Sequence, residues 1–153
     1  MNRAAPVPRA ALFLGLAGLI PFVWGGASQL SPGLNGLGLA TLGPRFVGPY
    51  VTLAYGTVIL SFMSGVLWGF ATRSAGRMAP LTYALSVVPA LWAFFMVGGG
   101  PEAAAFSLMA GFAGLFVLDW LFWDQGLAPD WWMRLRGMLT AAVLACLAVP
   151  ALM

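Results

Sequence analysis

The sequence predicts an all-α integral membrane bundle of five transmembrane helices, a single transmembrane domain over residues 1–153. Three observations lead there. Only 7% of the residues are charged and 61% are hydrophobic, whereas soluble domains carry about 25% charged residues to face water. Five apolar stretches approach the roughly 20 residues that a helix needs to cross a hydrocarbon core of about 30 Å. The cationic residues, all arginine, collect on one side of those stretches, as membrane orientation requires.

The first span covers roughly 10–29 and contains "ALFLGLAGLIPFVWGG", with Pro21 expected to kink it. Arg3, Arg9, the apolar run and "GGAS" also fit a signal peptide, an alternative that would leave four spans in the same orientation. An outer segment, 30–47, follows. Its glycines argue for a loop pressed on the membrane surface, although Leu30, Leu34 and Leu37 can line one side of a short surface helix. "GLNGLG" lacks the spacing, preceding strand and lysine of a phosphate loop.

The second span covers roughly 48–72 and the third roughly 80–98, with Pro89 expected to kink the latter. "GGGP" at 98–101 makes a tight turn into the fourth span, 102–123, and the fifth occupies 134–150. With the N-terminus inside, Arg3, Arg9, Arg73, Arg77, Arg134 and Arg136 lie on the cytoplasmic side and Arg45 alone outside. That is a positive-inside pattern, and it places the C-terminus outside. Trp68, Trp120, Trp123, Trp131 and Trp132 fall at the same inner interface, where an amphipathic ring is stable.

Residues four apart on a helix drift by only about 40° around its axis. Thr57, Ser61, Gly65 and Gly69 therefore form one stripe, and Ala103, Ser107, Ala110 and Gly114 a second. Lipid is as apolar as leucine, so small residues that admit close contact are the expected packing faces, first of all within the chain. Trp68 is expected to fill the wider gap beside the first stripe. On the fourth span, Phe112, Leu115, Asp119 and Trp123 take the other side, leaving one side for the bundle and one for a partner.

Several chemistries have no residues to carry them. The chain has no histidine and one cysteine, Cys146, so a zinc site, a histidine acid–base centre and an intrachain disulfide are excluded. Catalytic residues, cofactor ligands and metal ligands are therefore expected to be none, and no basic patch suits nucleic acid. Asp119 is the one acid well inside a span, and a buried acid is a functional hypothesis by default. It lies about one turn from the inner end, within reach of Arg73, Arg134 or Arg136, so an intramembrane ion pair is the simpler expectation.

"LGLAGLIPF" (14–22), "YGTVILSFMSGVLWG" (55–69), "SVVPALWAF" (86–94) and "PDWWMRLRGMLT" (129–140) stand in order along nearly the whole chain. Together they resemble a small polytopic membrane family of unknown function that includes animal transmembrane protein sixty-nine. Pro89 and the Trp132-x-x-x-Arg136 pattern are the more specific features; Trp132 departs from the tyrosine expected at its position. The resemblance implies an uncleaved first span, an inner-membrane location in bacteria and a mitochondrial one in animals, and it brings no activity. Scarce extramembrane mass and plentiful small-residue faces then point to a non-catalytic accessory or assembly subunit of a larger respiratory or photosynthetic membrane complex, in contact with membrane lipids. The alternative is a lipid-, quinone- or small-solute-binding or transport protein that holds its ligand between kinked helices near Pro21 and Pro89.

The arginine pattern makes the topology testable. In a Cys146→Ala background, an impermeant thiol reagent added to intact cells should label Met153→Cys and leave Asn2→Cys untouched. External labelling of Asn2→Cys refutes the orientation.

Overall fold

The computed structural model describes residues 6–152. It contains seven α-helices among those residues: α1 (Arg9–Ala17), α2 (Ile20–Leu30), α3 (Pro32–Thr41), α4 (Gly48–Ala71), α5 (Ala79–Met96), α6 (Pro101–Asp124) and α7 (Trp132–Leu152). Five segments are long and apolar enough to cross a membrane: Arg9–Leu30, Gly48–Ala71, Gly76–Met96, Pro101–Asp124 and Trp132–Leu152. The fold is an all-helical bundle of five candidate spans.

The first span is broken rather than kinked. Pro21 has no N–H, and its ring clashes with the carbonyl four residues back, which belongs to Ala17. The helix accordingly stops at Ala17, and α2 restarts at Ile20 with Pro21 in its first turn. Leu19 N–H bonds Leu16 O at 3.0 Å across the break.

Pro89 is treated differently. It stays inside α5, and α4 repairs the ladder from outside. Ser64 Oγ donates to Ser86 O and accepts from Ala90 N–H at 3.3 Å. Within an unbroken helix, Ala90 N–H would bond to Ser86 O. A hydroxyl from the neighbouring span is thus inserted into the bond the proline loosens.

Residues 32–41 form a helix, which corrects the expectation of a loop. Ser31 caps α3 by accepting Leu34 N–H at 3.4 Å, and Pro32 pre-sets the first turn. Gly38 turns inward, since a Cβ there would lie 2.4 Å from Val47 Cγ1 and 2.9 Å from Trp24 Cζ2. Leu30, Leu37 and Leu39 point outward. Trp24 Nε1 donates to Phe46 O at 2.7 Å and ties the segment back to α2.

The core gathers around Phe22, which makes edge-to-face contacts with Tyr55 and Phe112 at centroid distances of 5.3 Å and 6.2 Å. Leu60, Leu67, Leu108, Leu115, Phe122 and Leu147 complete it. The faces of α4 and α6 that reach this core are opposite to those expected to pack. On α4, Gly56, Leu60, Met63, Ser64 and Leu67 are buried, while Ser61, Gly65 and Gly69 are exposed and Thr57 is half-buried. A Cβ added to Gly65 or Gly69 meets nothing within 4 Å. Neither hydroxyl in this stripe needs a neighbour: Thr57 donates to Leu53 O and Ser61 to Thr57 O, both at 2.9 Å. Trp68 is also exposed and lies edge-on to Tyr83 rather than filling a gap beside the stripe.

On α6, Ala103, Ala110 and Gly114 are exposed and Ser107 half-buried, while Phe112, Leu115 and Asp119 face inward. The close approaches occur at other glycines. A Cβ on Gly25 would sit 1.9 Å from Thr52 Oγ1, and one on Gly111 would sit 2.6 Å from Leu60 Cδ2 and 2.8 Å from Trp92 Cδ1. Beside Gly111, Trp92 Nε1 donates to Ser107 O at 2.7 Å, fastening α5 to α6.

Overpacking of this kind costs about 1–3 kcal/mol. Gly111→Leu should therefore lower stability by about that amount, whereas Gly65→Leu should stay within about 1 kcal/mol of the parent, given the gain in helix propensity. Unfolding in a mixed-detergent series measures both. Equal losses would return the Gly65 stripe to the interior.

Candidate functional site

The charged centre of the bundle joins α6 to α7. Asp119 is fully buried, and Arg136 is 5% exposed. Arg136 Nε donates to Asp119 Oδ2 at 2.7 Å, and Trp132 Nε1 donates to Oδ1 at 2.8 Å. Trp132 and Arg136 lie one helical turn apart, so one face of α7 reaches both carboxylate oxygens. Phe70 holds the indole edge-on, at a centroid distance of 5.0 Å and an interplanar angle of 90°.

Of the three arginines within reach by sequence, only Arg136 meets Asp119. Arg73 Nη1 donates to Leu127 O at 2.8 Å, tying the end of α4 to the turn between α6 and α7. Arg134, at the start of α7, is exposed. Arg136 is consequently a structural cation inside the bundle and not one of the solvated arginines that set orientation.

The guanidinium is only partly used. Arg136 Nη2 and Thr140 Oγ1 are buried and have no protein partner. Thr140 is one turn beyond Arg136, so Trp132, Arg136 and Thr140 continue along a single face. An unsatisfied buried polar group costs about 1–3 kcal/mol, more when charged. The two orphans therefore need an explanation.

Both residues line a cavity of about 320 Å³. Leu14, Gly15 and Gly18 form its wall at the break between α1 and α2, Phe22, Tyr55 and Ile59 its back, and Phe112 and Val143 its sides. The break in the first span is part of this geometry: Gly15 lies against α7, and a Cβ on Gly18 would lie 3.8 Å from the Tyr55 hydroxyl of α4. A Cβ on Gly15 would lie 3.0 Å from Leu139 Cδ1. Every lining residue belongs to a span or to the break within the first one. Leu14 and Phe62 at the rim are 75% and 63% exposed. The cavity therefore reaches the outer surface of the bundle beside Leu14 and Phe62.

Asp119 and Arg136 are candidates in the sequence, and the cavity lies beside Pro21, one of the two kinks named for a ligand, but Trp132 as a donor and Thr140 are not among those candidates. A signal for them exists: a tryptophan, an arginine and a threonine at successive intervals of four in an otherwise apolar helix. Among the described residues, no three metal-ligating acids, histidines or cysteines cluster.

Over residues 7–152 the chain matches the family described as "Protein of unknown function (DUF3429)". It belongs to that family. It is also 36% identical over 141 residues to Transmembrane protein 69 of Xenopus tropicalis, a match covering 87% of this chain and 50% of the relative. The chain thus spans about half the length of the curated relative it matches. No solved structure is similar to it. Membership agrees with the five apolar helices: this is a multi-pass membrane protein of a family without an assigned activity.

Removing one partner of a buried ion pair costs about 3–5 kcal/mol, because the other charge is left bare. Asp119→Leu and Arg136→Leu should each destabilise by about that amount. The double variant should lose clearly less than the sum of the two. Strictly additive losses in a double-mutant cycle would mean the two side chains are not coupled.

Proposed function

We propose that this protein is a non-catalytic binding protein of the bacterial inner membrane that takes a small apolar molecule from the bilayer into the cavity. The observation that carries this reading is the cavity itself. Its volume of about 320 Å³ reaches the range of ligand sites, about 300–1,000 Å³. Apolar walls with a few convergent polar groups are the usual composition of such sites, and Arg136 and Thr140 supply the polar part.

A second reading, an accessory or assembly subunit of a larger membrane complex, draws on a different observation. The small-residue faces of α4 and α6 are left open on the outside of the bundle. In lipid, such faces admit close approach of another helix. The two readings are compatible, since an accessory subunit can also bind a lipid.

Filling the cavity separates them. Ile59→Phe should reduce lipid-extractable molecules co-purifying with the chain in mild detergent by about tenfold, as read by mass spectrometry of organic extracts, and leave its native electrophoretic mass unchanged. Gly65→Leu should do the reverse if the accessory reading holds. An unchanged extract from Ile59→Phe would count against the cavity as a binding site.

A further inference from the structure

We propose that the cavity selects molecules that present a neutral carbonyl oxygen to Arg136 and Thr140 while their apolar tail stays in the lipid. This rests on the binding reading above and names its ligand chemistry.

The polar end of the site specifies an acceptor. Arginine has donors only, and beyond Nε no nitrogen of the Arg136 guanidinium has a protein acceptor, Nη2 among them being enclosed. Thr140 Oγ1, also unpartnered, can add a second donor one turn away. The acceptor is neutral because the charge is already balanced. Asp119 holds Arg136 through Oδ2 at 2.7 Å, and Trp132 occupies Oδ1. A carboxylate or phosphate would bring an uncompensated charge into apolar walls, which a medium of low polarity penalises heavily. A carbonyl asks only for the hydrogen bonds the site has to give.

Size and shape carry the rest. An apolar cavity of about 150 Å³ already admits benzene, so about 320 Å³ holds a substituted ring or the ester region of an acyl chain. Phe22, Tyr55 and Phe112 present aromatic surface to it. A single water would satisfy the polar end, but it would leave most of the apolar lining without partners, and apolar cavities stay dry. The opening beside Leu14 and Phe62 gives a tail its exit into the bilayer.

Two kinds of membrane molecule share this chemistry: a quinone-like ring ketone on a hydrocarbon tail, and a neutral glycerolipid ester. The test uses the full chain in nanodiscs of saturated ether lipids, which have no carbonyl. The probes are a decyl-substituted benzoquinone, decylbenzene, a short-chain diacylglycerol and decanoate, each titrated by thermal stabilisation. The benzoquinone or the diacylglycerol should bind at least tenfold more tightly than decylbenzene, and whichever is tighter identifies the source. Thr140→Val should weaken that binding about fivefold, the effect of one hydrogen bond. Thr140→Ser should restore it to within about twofold.

If decylbenzene binds as tightly as the carbonyl probes and Thr140→Val changes nothing, the carbonyl proposal is overturned while the cavity remains a binding site. Decanoate binding more tightly than both carbonyl probes overturns the neutral-head requirement. Failure of all four probes overturns the cavity reading itself, and the carbonyl proposal with it.

Discussion

Arg136 and Asp119 make one contact between opposite charges in a bundle otherwise built for hydrocarbon, and much of the packing between α6 and α7 is arranged around it. Neither charge is stable alone at that depth. Holding them together fixes α7 against α6 in rotation as well as distance, since Nε must face Oδ2 and the Trp132 indole must face Oδ1. Nonpolar helix contacts alone specify rotation weakly, because lipid and protein offer similar surfaces. A directional pair removes that freedom. Arg136 and Thr140 also line the cavity that residues of α1 and α4 share.

The same scarcity of water explains how Pro21 and Pro89 are accommodated. A backbone group that loses its partner in a bilayer has no solvent to turn to. At Pro21 the chain gives up helix continuity, and the discontinuity becomes one wall of the cavity. At Pro89 the helix survives because Ser64 bridges Ser86 O and Ala90 N–H from the next span. One proline shapes a site and the other fixes a joint. The difference lies in the neighbours, since at Pro89 the Ser64 hydroxyl enters the ladder itself.

Small residues fall into two groups that look alike in sequence. Gly25, Gly56 and Gly111 accept side chains of adjoining helices at distances a Cβ would obstruct or crowd. Gly65, Gly69 and Gly114 have open space where a side chain would stand. The first three stand one to a helix, in α2, α4 and α6, while Gly65 and Gly69 lie four apart on α4. Only the first holds this chain together, while the second leaves a smooth outer face on α4 and α6.

The sequence by itself determined the membrane class, the number of spans and their approximate limits, because these depend on local quantities: the length of an apolar run and the scarcity of charge. It also narrowed the partner of Asp119 to three arginines, since depth along a helix follows from residue count. Which arginine closes the pair, and that Trp132 joins it, depends on the rotation of α7 against α6, which no single helix encodes. The inward faces of α4 and α6 were illegible for a related reason. In a soluble protein the polar side of a helix marks the outside, but here Thr57 and Ser61 satisfy their hydroxyls on their own backbone and sit outside without penalty. The cavity depended on tertiary structure most of all: it exists only where a broken first span, the aromatic back wall and the polar face of α7 converge.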